Sequence, residues 1–218
     1  MDEWITTSKL PLGSLIESWV SVLTDQGQDF FDAISTIVGT GIDSVTALLQ
    51  AIPATLFILI FSVLVYLLHR SLVLVIGSAL ALLLIANLGY WDATMETLSL
   101  VVSATLVSVI IGVPLGIASA HRPWLYTALR PILDLMQTIP TFVYLIPTLI
   151  LFGLGVVPGL ISTVIFAIPA PIRLTHLGIT AVPKHLIEAG ESFGATKSQL
   201  LWKVEIPSAL PTIMAGVT

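Results

Sequence analysis

Long apolar runs separated by short polar stretches set the pattern of this sequence. A helix needs about 20 mainly apolar residues to cross the hydrocarbon core of a membrane. Runs that approach or exceed this length extend over residues 53–68, 72–89, 94–120, 131–154 and 159–180. The pattern therefore predicts five membrane-crossing helices. Prolines inside the last two runs predict bends there, because each proline leaves a carbonyl group without its intrahelical donor.

The residues before the first run have a different periodicity. Between Phe30 and Ile52, apolar residues recur every three or four positions, and acidic residues and a glutamine fall between them. This pattern predicts an amphipathic helix, which either lies on the membrane surface or packs against the other helices. A shorter run over residues 16–23 predicts a second, short amphipathic helix.

Composition supports a membrane protein and excludes several kinds of site. Of the 218 residues, 56% are hydrophobic and only 10% are charged, and the mean hydropathy is +1.03. Soluble domains average about 25% charged residues. The absence of cysteine excludes disulfides and thiolate ligands. The four histidines lack the spacing of a metal site, and the sequence contains no G-x-x-x-x-G-K loop, so we expect no metal and no ATP hydrolysis by this chain.

Basic residues predict the orientation, because lysine and arginine are retained on the cytoplasmic side of membrane helices. With the N-terminus outside, five crossings place every lysine and arginine except Lys9 at cytoplasmic ends or loops. The predicted parts are an external amphipathic arm (1–52), two N-terminal transmembrane helices (53–92) and a core (93–218). The same count places the polar stretch 183–207 in the cytoplasm.

This polar stretch is too charged to cross a membrane and carries the signals of two short helices. Pro183 is expected at the first position of one helix, and Gly194 is expected in the left-handed conformation just beyond its end. Thr196 and Gln199 have the spacing of a capping box, which predicts the start of a second helix that Pro207 stops. The sequence predicts a helix, a glycine turn and another helix.

Three short motifs within this stretch resemble the EAA loop of ABC-importer permeases. They are Glu188-Ala189-Gly190, Gly194-Ala195 and Val204-Glu205-Ile206-Pro207. The resemblance implies that the stretch forms a coupling helix that docks on an ATPase subunit, with the coupling residues Glu188, Ala189, Gly190, Phe193, Gly194, Ile206 and Pro207. Two positions depart from the family pattern, since Gly190 replaces the usual alanine and Ile206 stands where leucine is common.

A longer part of the chain, residues 98–217, resembles glycine betaine and proline betaine permeases of the ProW/OpuAB type. The motifs are residues 112–117, 131–138, 142–145 and 172–175, together with Pro140. The resemblance implies an all-α polytopic membrane protein with the type I ABC importer permease (MetI-like) fold, C-terminally incomplete at Thr218. It also implies a bacterial plasma membrane protein that imports glycine betaine or related quaternary ammonium osmoprotectants by alternating access.

The implied partners are an ABC ATPase that binds ATP and magnesium, an external substrate-binding protein or domain, a second permease copy in a homodimer, and membrane lipid. No nucleic acid is expected as a partner, and this chain is not expected to be an enzyme. Two alternatives remain open. One is the same transporter class with choline or an amino acid as cargo, and the other is a non-transporting membrane scaffold or channel.

Other residues are candidates for the transport path and its gating. An ionisable residue near the end of a span needs a partner, so Asp134 pairs either with Arg130 one turn away or with Arg173 in an ion pair that moves in gating. Pro140, Phe142 and Tyr144 either line the path, where aromatic rings would attract a quaternary ammonium ion, or only pack. Gly112 and Gly116 predict close helix packing, within the subunit or in a dimer.

Overall fold

The computed structural model describes residues 12–217, which form helices and no strand. The helices are α1 (Leu12–Gln50), α2 (Ala54–His69), α3 (Leu72–Asn87), α4 (Trp91–His121), α5 (Pro123–Thr138), α6 (Thr141–Phe152), α7 (Val156–Ala167), α8 (Pro169–Thr180), α9 (Lys184–Ser192), α10 (Lys197–Leu200) and, after a π-helical turn (Leu201–Glu205), α11 (Ile206–Met214). The expected all-α fold class is confirmed. Lys9 and the rest of residues 1–11 lie outside the described residues.

The set of possible membrane spans differs from the five that the sequence predicts. Within the described residues, three helical stretches are long and apolar enough to cross a membrane: Gln26–Gln50 of α1, α4, and Val156–Thr180, which joins α7 and α8. The pair α5 and α6 is bent by 95° and counts as one broken span or a re-entrant loop. Helices α2 and α3 have 16 residues each, about 24 Å of helix, which is shorter than the hydrocarbon core of about 30 Å.

Helix α1 packs against the other helices, which decides between the two positions that its amphipathic pattern left open. It is one continuous helix of 39 residues instead of two short ones. Ile42 on its apolar face is 3% exposed and packs with Ala104 of α4 and Leu160 of α7. The Ser99 hydroxyl of α4 donates a hydrogen bond to the Ile42 carbonyl at 3.1 Å. These contacts fix α1 to the bundle.

The predicted fourth span is two helices, and the break occurs at Pro140. Ile139 is extended (φ −78°, ψ 129°), and the chain turns sharply before α6 begins. Proline has no N–H to donate to the Met136 carbonyl four residues earlier. The Tyr144 hydroxyl donates to that carbonyl instead, at 3.1 Å. Pro147 lies within α6 without ending it, so only Pro140 divides the predicted span into two helices.

The core of the fold is the close packing of α4 on α8. A Cβ atom placed on Gly112 would lie 2.8 Å from Pro171 Cγ, and one on Gly116 would lie 2.5 Å from Thr175 Cβ. The backbones approach closely because these two glycines have no side chains. The expectation of close packing is confirmed, and it is packing within the subunit. Helix α11 also packs on α8, through Ala209 and Gly178.

Candidate functional site

The first helix of the polar stretch ends as the sequence predicts. Gly194 has a φ of +76°, its N–H bonds to the Glu191 carbonyl at 2.8 Å, and the Ala195 N–H bonds to the Gly190 carbonyl at 3.1 Å. These two bonds form a Schellman motif, which satisfies the last free carbonyls of a helix. Pro183 lies one position earlier than expected, since it caps α9 instead of beginning it.

The second helix begins with the predicted capping box. The Thr196 N–H donates to Gln199 Oε1 at 2.8 Å, and the Gln199 N–H donates to Thr196 Oγ1 at 3.4 Å. The two residues thereby satisfy each other's free backbone donors at the start of α10. The turn between α9 and α10 is fixed at both ends by local chemistry.

The prediction that Pro207 stops the second helix is wrong. The chain passes through the π-helical turn, in which the Ile206 N–H bonds to the Leu201 carbonyl five residues earlier, and continues as α11. Pro207 occupies one of the first two positions of α11, where its missing N–H breaks no necessary bond. The wider π turn gives room for the ring of Pro207, which in a regular α-helix would clash with the carbonyl four residues earlier.

The stretch from Pro183 to Pro207, which we call the coupling segment, has an exposed apolar surface. Phe193 is 93% exposed, Trp202 is 66% exposed and Leu186 is 38% exposed. Ala189 and Glu188 are also exposed, and the Glu188 carboxylate contacts no hydrogen-bonding or charged partner among the described residues. Large apolar side chains with this exposure are typical of a surface that another protein covers.

The opposite side of the coupling segment faces the chain itself. Leu200 is 6% exposed, and a Cβ atom on Gly190 would lie 2.6 Å from Leu200 Cδ2. The absence of a side chain at Gly190 therefore allows α10, and not a partner protein, to pack closely on α9. Ile206 packs against a buried cluster formed by Ile179, Val182, Ala209 and Ile213, and Ile187 of α9 joins the same cluster. The structure thus places Ile206 apart from the exposed face of α9.

A close contact between an imidazole and a carboxylate, which the sequence did not predict, joins the coupling segment to α4. His121 Nε2 lies 2.9 Å from Glu205 Oε2, and the Glu205 side chain is 10% exposed. Both residues line a cleft of about 600 Å³ between the end of α4 and α9–α10. In the sequence, Glu205 is a single carboxylate between the apolar residues Val204 and Ile206, and this pattern does not identify its partner.

The two alternatives for Asp134 are decided in favour of the distant partner. Arg173 Nη2 of α8 donates to Asp134 Oδ1 of α5 at 2.6 Å. Arg130, one turn away, makes no ion pair with Asp134 in the described chain. The pair crosses between two helices, as a gating contact would require, and its movement in gating stays a prediction.

The three candidate path residues are not alike in the structure. Pro140 forms the break between α5 and α6, and the Tyr144 hydroxyl is bonded to the carbonyl that Pro140 leaves free. Phe142 is 80% exposed. Tyr144 therefore has a structural role at the break, and a role of any of the three in the transport path stays a prediction.

Residues 112–218 match the family model described as binding-protein-dependent transport system inner membrane component. The chain is 41% identical over 210 residues to the glycine betaine transport system permease protein OpuAB of Bacillus subtilis, with 96% of this chain and 74% of the relative covered. The chain belongs to this permease family. It is therefore a membrane transport protein and, like these relatives, not an enzyme.

Two further permeases and one solved structure are also similar to this chain. The glycine betaine/carnitine transport permease protein GbuB of Listeria monocytogenes is 42% identical, with 95% of this chain and 74% of the relative covered. The glycine betaine/proline betaine transport system permease protein ProW of Escherichia coli is 41% identical, with 95% of this chain and 58% of the relative covered. A solved inward-facing MetNI methionine ABC transporter structure is similar with a TM-score of 0.49 and 26% identity, covering 56% of this chain and 62% of that one.

Proposed function

We propose that this permease is the membrane subunit of an ATP-driven importer of glycine betaine or related quaternary ammonium osmoprotectants in a bacterial plasma membrane. The observation that carries the proposal is the coupling segment, whose Schellman turn and capping box hold an exposed apolar face outward while its other face packs on the bundle. The cargo is inferred from OpuAB, GbuB and ProW, whose names all include glycine betaine.

The exposed face of the coupling segment, including Leu186, Ala189 and Phe193, docks in a groove of an ATPase subunit on the cytoplasmic side. That subunit binds and hydrolyses ATP with magnesium. Its closure moves the coupling segments of two permease copies together, and the movement reaches α8 and α4 through the buried cluster around Ile179 and Ala209. The bundle then opens outward to receive cargo from an external substrate-binding protein, and hydrolysis resets it.

The cargo passes the break between α5 and α6, where Phe142 presents an exposed ring. Cation–π attraction of a quaternary ammonium ion to such a ring contributes about 0.5–2 kcal/mol depending on desolvation. This weak attraction suits a transport path, because a path that held its cargo tightly would release it slowly. Selection of the cargo then falls mainly to the binding protein.

The test is ATP-dependent uptake of radiolabelled glycine betaine into proteoliposomes that contain the permease with its ATPase and binding protein. We expect uptake that requires ATP and is reduced by unlabelled proline betaine. Competition by choline or an amino acid, without competition by betaines, would identify the other cargo. ATP-independent flux would identify a channel, and no flux with an unassociated ATPase would identify a scaffold.

Docking is tested separately with Phe193→Ala. Truncation of a central aromatic anchor costs roughly 2 kcal/mol or more in affinity, so we expect the fraction of ATPase that co-purifies to fall about tenfold or more. Phe166→Ala is the matched control, because Phe166 on α7 is also exposed, at 42%, but lies outside the coupling segment. Equal co-purification by the two variants would contradict docking at this surface.

A further inference from the structure

Glu205 stands out because it is a charged residue that the fold buries. It is 8% exposed, and the other buried polar side chains of the described residues are hydroxyls. An ionised carboxylate away from water is destabilising unless a cation or hydrogen-bond donors compensate it. The basic side chain in contact with it is His121, whose Nε2 lies 2.9 Å from Glu205 Oε2. The fold therefore maintains a costly group at the junction of α11 and the π-helical turn.

The hydrogen bond on the other side of the imidazole shows which ring nitrogen carries a hydrogen. His121 Nδ1 lies 2.9 Å from the Ile117 carbonyl oxygen, which only accepts, so Nδ1 carries a hydrogen. Nε2 then carries one only in the imidazolium form. The contact with Glu205 Oε2 is close, but it lacks the direction of a hydrogen bond, so in the imidazolium form the attraction is chiefly between charges.

The pair lies where the coupling segment meets the core helices. His121 is the last residue of α4, and Glu205 is the last residue of the π-helical turn. The other ion pair among the described side chains, Asp134 with Arg173, does not involve the coupling segment. Apolar residues of this segment and of α4 pack against the same buried cluster, and such contacts are non-directional. The charged groups that share the cleft with the pair are Arg122, Glu191 and Lys197.

We propose that His121 and Glu205 are positioning residues that hold the coupling segment at a fixed place on the end of α4. Movement imposed on α9 is then passed to the close-packed α4 and α8 instead of being lost as rotation about the turn at Pro183. This inference rests on the proposed import function. It concerns the efficiency of coupling and not docking of the ATPase, because both residues lie on the opposite side from Phe193.

The test compares cargo moved per ATP hydrolysed by the assembled importer in proteoliposomes, for the variants Glu205→Gln, His121→Gln and His121→Lys. Glu205→Gln keeps the size and removes the charge, and we expect the ratio to fall about tenfold, within the usual range of coupling between two sites. His121→Gln is expected to do the same. His121→Lys loses the bond to Ile117 but keeps a positive charge, so we expect it to restore most of the ratio.

The matched control is Arg122→Gln, which removes an exposed charge from the same cleft outside the coupling segment and is expected to leave the ratio unchanged. An unchanged ratio in Glu205→Gln, or an equal loss in His121→Lys and His121→Gln, would overturn the proposal. If Glu205→Gln fails to accumulate in the membrane, the two variants of the half-exposed His121 still decide. Failure of the unmodified importer to take up cargo would instead contradict the proposed function.

Discussion

Replacement of Gly116 by alanine tests the close approach of α4 and α8 on which the proposed transmission depends. The new Cβ atom would lie 2.5 Å from Thr175 Cβ and 2.8 Å from the Ile172 carbonyl oxygen. Non-bonded carbon atoms prefer about 3.5–4.0 Å, so the two helices would have to separate by about 1 Å. The obstacles are backbone and a β-branched side chain, which cannot rotate away.

The expected cost is about 1–3 kcal/mol, the usual penalty for adding atoms to a well-packed core. Alanine also favours a helix over glycine by about 1 kcal/mol, which would mask part of that cost. Gly77→Ala is the matched control, because Gly77 lies inside α3 and its added Cβ would meet nothing within 4 Å. Both variants gain the same helix preference, so the difference between them isolates the steric term.

The assay is reversible unfolding in mixed micelles titrated with a denaturing detergent and followed by circular dichroism. We expect Gly116→Ala to have a free energy of unfolding about 1–3 kcal/mol below that of Gly77→Ala. If the two variants unfold at the same detergent fraction, α4 and α8 are not packed as closely as the structure shows. The route from the coupling segment to the core would then have to run elsewhere.

Two further predictions concern the coupling segment and the ion pair. Gly194→Ala places a Cβ at a φ of +76°, which costs about 1–2 kcal/mol; we expect amide hydrogen exchange in α9 to accelerate, and unchanged exchange would contradict the left-handed turn. Asp134→Asn leaves Arg173 unpaired and is expected to lower the uptake rate, whereas Arg130→Gln is not; equal effects would indicate that the contact with Arg173 has no role in gating.

Features set by neighbouring residues were the most predictable from sequence. Gly194 and the Thr196–Gln199 capping box need only a few consecutive residues to form, and both occur where expected. The failure at Pro207 has a local cause as well. A proline predicts a helix stop because it lacks an N–H and its ring clashes with the carbonyl four residues earlier. A π-helical turn ahead of Pro207 relieves that clash, and the pattern of residue types does not specify such a turn.

Contacts between distant residues were predictable only as alternatives. The sequence left Arg130 and Arg173 as alternative partners of Asp134. Arg130 is one helical turn away, and Arg173 is another ionisable residue near the end of a predicted span, where a partner is needed. Choosing between them requires the positions of α5 and α8, which depend on the break at Pro140. Glu205 and His121 were not paired in advance because they are far apart in the chain and neither belongs to a repeating pattern. Burial of the carboxylate is visible only once α11 has packed on α8.

The π-helical turn at Leu201–Glu205 makes side chains that are close in sequence point in different directions. Residues three apart in an α-helix lie on the same side, yet Trp202 is 66% exposed and Glu205 is 8% exposed. The extra residue of a π turn offsets the following side chains by about 100°. The same few residues therefore expose one side chain and bury another against the bundle. Deletion of one residue here would rotate the side chains that follow by about 100° relative to those that precede, instead of merely shortening the helix.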